Sequence, residues 1–238
     1  MTSSLVVNVI DSMKVAKMYG FIKEMDNIRE MHVRLEDWIQ PAYLSQQRIA
    51  SIKKQFSEAV PFPYVVLKDF FVLKKLKQMN AALQQESFKK LESDLLKFSQ
   101  TNDLSSSSHP AIKQFYGFLS SPEFRAYMAM LSGFRLSSGL DCMGSLYEDT
   151  SFLLPHDDRL ESRKIAYMIY CSSSSKHDGG MLCLYDSKKD IPSRIVRRIL
   201  PVENQFVFFA VSKKSFHGVS EIKRKKRLTM NGWFHGRD

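Results

Sequence analysis

The chain has 238 residues, 44% of them hydrophobic, enough for one medium domain with an extension or two small ones; 35 basic against 25 acidic side chains give a formal charge of +10. No run of about eighteen apolar residues appears, which argues against a membrane-crossing helix, and the opening residues lack a basic leader with a sustained apolar stretch, so a nuclear or cytoplasmic place is expected. Cys142, Cys171 and Cys183 have no zinc-like spacing and leave one over from any pairing, so disulfides are not expected.

Taken in chain order, residues 12–60 carry mixed charge with Ile22, Met25, Ile28, Met31 and Leu35 at helical intervals, which predicts a helical extension over residues 1–60. Pro61-Phe62-Pro63 breaks it and opens a second unit, residues 61–238. Tyr64-Val65-Val66-Leu67 predicts a short strand, and residues 70–80 and 86–98 resume helical spacing. Residues 105–110, four serines followed by His109 and Pro110, read as a flexible loop. Further helices are predicted over 111–119 and 122–131, with Ser121 as N-cap for Pro122.

From residue 139 the pattern becomes short apolar or alternating runs between polar turns, predicting strands at 165–171, 181–185, 205–211 and 228–234. Strands after a helical half predict an α+β fold, an antiparallel jelly-roll, cupin-like barrel over residues 139–236 braced by the N-terminal helices. The serine run 172–175 with Gly179-Gly180 reads as a mobile hairpin loop at the barrel mouth. Lys223-Arg224-Lys225-Lys226-Arg227 reads as a solvated hairpin whose last residue has a separate task, with a nuclear address or a phosphate-binding patch as alternatives. The +10 charge favours acidic or RNA-containing partners, or serves solubility alone.

The chemistry concentrates in two places. His156 and Asp158, two apart, can present an imidazole and a carboxylate to one side of a strand, and His217 from a distant strand can complete the set. Two imidazoles and a carboxylate on one face leave coordination positions open, the arrangement suited to non-haem ferrous iron and dioxygen. On the strand opening at Arg227, residues Arg227, Thr229, Asn231 and Trp233 share a face, and a guanidinium leading into a core needs an anion: a dicarboxylate co-substrate, or an acid such as Glu221. Asp157 should face away from the metal, or orient a ligand imidazole. His177 and His235 are read as a loop residue and a hydrogen-bonding residue.

At this point the chain resembles the ferrous iron and 2-oxoglutarate-dependent oxygenases, and within them the prolyl hydroxylases of a small-subunit ribosomal protein. Residues 88–236 carry the likeness, through Ser93-Asp94-Leu95-Leu96-Lys97-Phe98-Ser99-Gln100, Tyr147 and His156-Asp157-Asp158, Arg163-Lys164-Ile165-Ala166-Tyr167, Gly179-Gly180, Phe208-Phe209-Ala210-Val211-Ser212, Ser215-Phe216-His217 and Gly232-Trp233-Phe234-His235-Gly236. It is to the catalytic, N-terminal barrel of such enzymes, a double-stranded β-helix. The resemblance implies that His156, Asp158 and His217 bind Fe(II) and that Arg227 grips the distal carboxylate of 2-oxoglutarate. It also places the Tyr147 and Tyr170 hydroxyls along that co-substrate and Trp233 in the pocket, with Asn231 beside it by strand parity. It further implies dioxygen as oxidant, ascorbate as reductant, succinate as product, and a prolyl residue of the ribosomal decoding-centre protein as substrate. Two alternatives stand beside it: the same iron chemistry on nucleic-acid bases, and a catalytically silent barrel that binds or senses.

Overall fold

A computed structural model describes residues 33–160 and 162–237, and the helical expectation for residues 12–32 lies outside them. From Arg34 onward the chain forms one compact unit. Its first regular helix, α1 (Gln46–Glu58), starts where Ser45 Oγ accepts the Arg48 amide, and it buries Ile49, Ile52 and Phe56. Phe56 packs 5.3 Å from Phe208 of the sheet. The boundary expected at residue 60 therefore falls inside packed structure.

Strand β1 (Tyr64–Leu67) and helix α2 (Leu73–Leu83) follow. Residues 86–98, expected to be helical, form instead the hairpin of β2 (Lys89–Ser93) and β3 (Leu96–Gln100). Phe88, Leu91, Leu95 and Phe98 satisfy a helical spacing, but a helix there would have to bury that stripe, and Leu91 and Leu95 are 37% and 64% exposed. Pairing of β3 with two further strands decides the outcome. Residues 105–110, expected to be a loose loop, are pinned: the Asp103 carboxylate accepts the amides of Ser105 and, 3.0 Å away, Cys142, and Ser107 donates to Glu86. Helices α3 (Pro110–Ser120) and α4 (Pro122–Ser132) follow, and Ser121 caps α4 through the Phe124 amide as the sequence predicts.

The remaining strands are β4 (Leu136–Tyr147), β5 (Phe152–His156), β6 (Arg163–Tyr170), β7 (Leu182–Lys188), β8 (Ile191–Ile199), β9 (Phe206–Ala210), β10 (His217–Val219) and β11 (Arg227–Gly236). Together they make an 11-stranded antiparallel sheet in the order β1-β9-β6-β11-β4-β3-β5-β10-β7-β8, with β2 on β3. The sheet curls, with β3 bridging its two halves. Because β6 pairs with β9 and β11 while β7 pairs with β8 and β10, the 171–181 segment crosses between halves and is not a hairpin. The basic 220–226 segment likewise crosses from β10 to β11. The free edge at β8 is protected against strand addition by two register shifts, Pro192 and the exposed Arg194, Arg197 and Arg198.

Strand alternation sorts the core into two layers. Phe206, Phe208 and Phe234 face the helices, where they meet Phe70, Phe56 and Phe124, with Tyr127 packed behind Phe70 and Phe124, each buried ring contributing about 1.5–3 kcal/mol. Val207, Phe209, Met168, Tyr170 and Leu184 face the inside of the curl, and Arg227 and Thr229 open onto the same cavity.

Candidate active site

His156 ends β5 and His217 begins β10, directly opposite each other in the antiparallel register, so their rings sit 4.3 Å apart. Phe209 backs the His217 ring at 4.5 Å. Asp158 does not share the strand of His156, although their two-residue spacing predicts it. β5 stops at His156, and Asp158 reaches the same side because its backbone turns left-handed, with φ of 61°. Ser215 Oγ donates to the Asp157 carbonyl at 3.0 Å, tying this turn to the segment that leads into His217.

The donor atoms of His156, Asp158 and His217 all lie within 4.8 Å of one another. His156 Nδ1 is 3.0 Å from the Leu154 carbonyl and His217 Nδ1 is 2.9 Å from the Ser215 carbonyl. A carbonyl can only accept, so both Nδ1 atoms carry a proton, and each ring in its neutral form, the form that binds a metal, turns an Nε2 lone pair inward. Those lone pairs meet Asp158 Oδ1 at 3.2 Å and Oδ2 at 3.3 Å. Electron pairs converging without a proton between them repel, and a cation removes the repulsion. Two nitrogens and a carboxylate oxygen on one side therefore fit a divalent first-row metal, the outer nitrogens being fixed by backbone in the manner of metal-bound imidazoles.

Burial pushes the Asp158 carboxyl up, but His217 and His156 together outweigh it and hold the group well below the usual carboxylate range. Burial lowers His156, and the Asp158 carboxylate overturns that effect to leave the imidazole raised. Asp157 faces away and accepts from Arg159 Nε at 2.7 Å, so it orients no imidazole. His235 pairs with Ser162 at 2.7 Å and Asp141 at 3.1 Å, and His177 is exposed; neither joins the cluster.

The other end of the cavity is built around Arg227, 2% exposed at the start of β11, opposite Tyr147 of β4. Its guanidinium carbon is 4.8 Å from the Tyr147 ring and 5.2 Å from the Tyr170 ring. Gly180, with φ of 69°, leaves it room: a Cβ there would lie 2.4 Å from the Ile222 side chain and 3.3 Å from Arg227 Cδ. Glu221 is not its partner, and among the described residues no carboxylate lies within ion-pair distance. Arg227 Nε and the Tyr170 hydroxyl are both buried without a hydrogen-bond partner. A buried guanidinium without an anion is costly, so this end fits a carboxylate ligand. Burial pushes the Tyr147 phenol up to about 12 against the pull of Arg227, and burial raises Tyr170 too, so both stay protonated donors near neutrality.

Between the two ends runs a cavity of about 440 Å³. Its polar wall includes Ser145, Thr229 and Asn231, the last two 3.3 Å apart, and Trp233 reaches its metal end. Leu91, Leu95 and Leu154 form an apolar rim. Sequence reasoning missed that rim, because the β2–β3 hairpin was read as helix. It also missed Arg163, whose guanidinium stacks on Trp233 with its carbon 3.5 Å from the ring centroid, since nothing in the spacing signals a contact between β6 and β11.

A family model described as the 2OG-Fe(II) oxygenase superfamily matches residues 142–235, which include all three cluster residues and Arg227. The chain belongs to the 2OG-Fe(II) oxygenase superfamily. It is 35% identical over 205 residues to prolyl 3-hydroxylase OGFOD1 of Mus musculus, covering 84% of this chain and 36% of that protein. It is also 35% identical over 201 residues to prolyl 3,4-dihydroxylase OGFOD1 of Ostreococcus tauri, covering 75% and 38%. The chain thus spans little more than a third of these relatives. A crystal structure of a Pseudomonas putida prolyl-4-hydroxylase superposes with a TM-score of 0.65 at 18% identity, covering 80% of this chain and all of that one. The likeness shows the fold, a double-stranded β-helix, as expected from the sequence. Membership of the 2OG-Fe(II) oxygenase superfamily brings Fe(II), 2-oxoglutarate and dioxygen, and the donor cluster and the bare guanidinium are the two groups that such ligands require.

Proposed function

We propose that this oxygenase is a peptidyl-prolyl hydroxylase. The observation that carries the reading is a single cavity with a metal-type donor set at one end and an unpaired buried guanidinium at the other. His156, Asp158 and His217 would hold Fe(II); Arg227 would grip the distal carboxylate of 2-oxoglutarate, with the Tyr147 and Tyr170 hydroxyls donating along it. Bound iron supplies the oxidation: a prolyl C–H, one 2-oxoglutarate and one O₂ yield C–OH, succinate and CO₂. The protein's own part is positioning. Backbone carbonyls fix the imidazoles, Arg227 sets the direction of the co-substrate, Trp233 and Asn231 wall the cavity, and the leucine rim excludes water and receives an apolar ring.

Relatives named prolyl hydroxylases support the prolyl substrate. The finer reading is a prolyl residue of the decoding-centre protein of the small ribosomal subunit, hydroxylated in the nucleus or cytoplasm with ascorbate keeping the metal ferrous. The formal charge of +10 suits an RNA-containing assembly. To test it, the anaerobically iron-loaded chain receives 2-oxoglutarate, oxygen and a peptide from the decoding loop of that protein. A gain of one oxygen atom on the prolyl residue is expected, absent with Asp158→Ala. Conversion of 2-oxoglutarate with no gain on the peptide would remove the ribosomal substrate and keep the oxygenase.

A further inference from the structure

Trp233 lines the cavity, but its polar edge is aimed at the metal-type cluster. Nε1 donates to Asp158 Oδ2 at 3.0 Å. One face of the indole is covered by the Arg163 guanidinium, 3.5 Å from the ring centroid, and the same guanidinium reaches the Asp158 backbone carbonyl at 3.4 Å and the Asp141 carboxylate at 3.8 Å. The indole therefore cannot swing away without leaving a cation that is itself held at two other points.

The two carboxylate oxygens are thus unequal. Oδ2 receives the indole N–H, and no other donor among the described residues supplies it, since the His217 ring facing it carries its proton on the far nitrogen. Oδ1 faces Nε2 of His156 at 3.2 Å and, with that ring neutral as a metal ligand requires, receives no donor among the described residues. A carboxylate can bind a metal through one oxygen or through both. With both, it would take one of the positions that a two-imidazole, one-carboxylate set otherwise leaves open.

We propose that Trp233, braced by Arg163, is a positioning residue that holds Asp158 as a one-oxygen ligand and so keeps a coordination position free for co-substrate or dioxygen. The inference rests on the metal-centre reading above. It assigns the indole a task that packing alone does not require. A phenylalanine would fill most of the same space and could still carry the stacked guanidinium, yet it would release Oδ2.

The test uses Mn(II) as the probe, on the whole chain without substrate, and reads the water-proton relaxivity of the metal-bound protein together with the affinity for 2-oxoglutarate. In a six-coordinate ion, three protein ligands leave three waters and four leave two, so Trp233→Phe should lower relaxivity by about one third. The affinity for 2-oxoglutarate should weaken by about 10- to 100-fold. Arg163→Met, which removes the brace and leaves the indole, should shift both readings the same way by a smaller factor. It keeps the test decisive if circular dichroism shows Trp233→Phe unfolded. Unchanged relaxivity in the folded variants, even with a lowered melting temperature, overturns the role of Trp233 and leaves the metal centre intact. Failure of the unaltered chain to bind Mn(II) overturns both.

Discussion

At one end of the cavity His156, Asp158 and His217 turn donor atoms toward a common point, while at the other Arg227 presents a buried positive charge with no carboxylate of the described residues against it. The first end has the donors for a cation and the second the charge for an anion. They also differ in what holds them. The imidazoles are fixed by backbone carbonyls two residues before them in the chain, whereas Arg227 is enclosed by side chains of two neighbouring strands, Tyr147 of β4 and Met168 and Tyr170 of β6. The metal end should accordingly fail all at once when a donor is lost, and the guanidinium end should weaken in steps.

The largest effect is expected from Asp158→Ala, which should lower metal affinity by more than about 100-fold, beyond what loss of an outer-shell partner costs, measured by anaerobic titration. Retention of tight binding would break the comparison at its metal end. Next, Arg227→Met should cost about 2–5 kcal/mol of 2-oxoglutarate binding, seen as a rise in its KM with metal affinity unchanged. Because the guanidinium is unpaired without ligand, the same variant should melt no lower than the unaltered chain when 2-oxoglutarate is absent. A lower melting temperature would mean that Arg227 is structural. Tyr170→Phe removes one donor of several and should weaken 2-oxoglutarate by about 1 kcal/mol, read in the same KM assay.

The smallest effect concerns pH. His156 is raised by Asp158 in the folded, metal-free chain, so the stability it contributes is fully present below its ordinary value of 6.5 and is lost as pH rises through the raised value. Metal-free melting temperatures should fall slightly over that interval. With Mn(II) bound the fall should vanish, because the metal then stands where the proton stood, and below that interval protons should compete with the metal.

How legible each region was from sequence follows from how local its determinants are. His156 and Asp158 lie two residues apart, and His217 sits in a short motif, so a two-residue spacing and a residue-type argument reached the cluster even though Asp158 gets there by a left-handed turn and not by strand alternation. Arg227 is reached through the parity of β11, and Thr229, Asn231 and Trp233 on the same strand face line the cavity with it. The β2–β3 hairpin was not reached, because Phe88, Leu91, Leu95 and Phe98 fit a helix and only pairing with β4 and β5 excludes one. The crossovers at 171–181 and 220–226 were read as hairpins for the same reason: which strands they join is decided by partners far away in sequence.

The central claim, one cavity joining a metal to a dicarboxylate, is tested most directly by titrating 2-oxoglutarate into the anaerobic Fe(II)-loaded chain and following the metal-to-ligand charge-transfer absorption. The account predicts a saturable band that is absent in Asp158→Ala and that needs roughly 30-fold or more 2-oxoglutarate in Arg227→Met, the lower end of the binding cost given above. No band with the unaltered chain, or an identical titration for Arg227→Met, would contradict it.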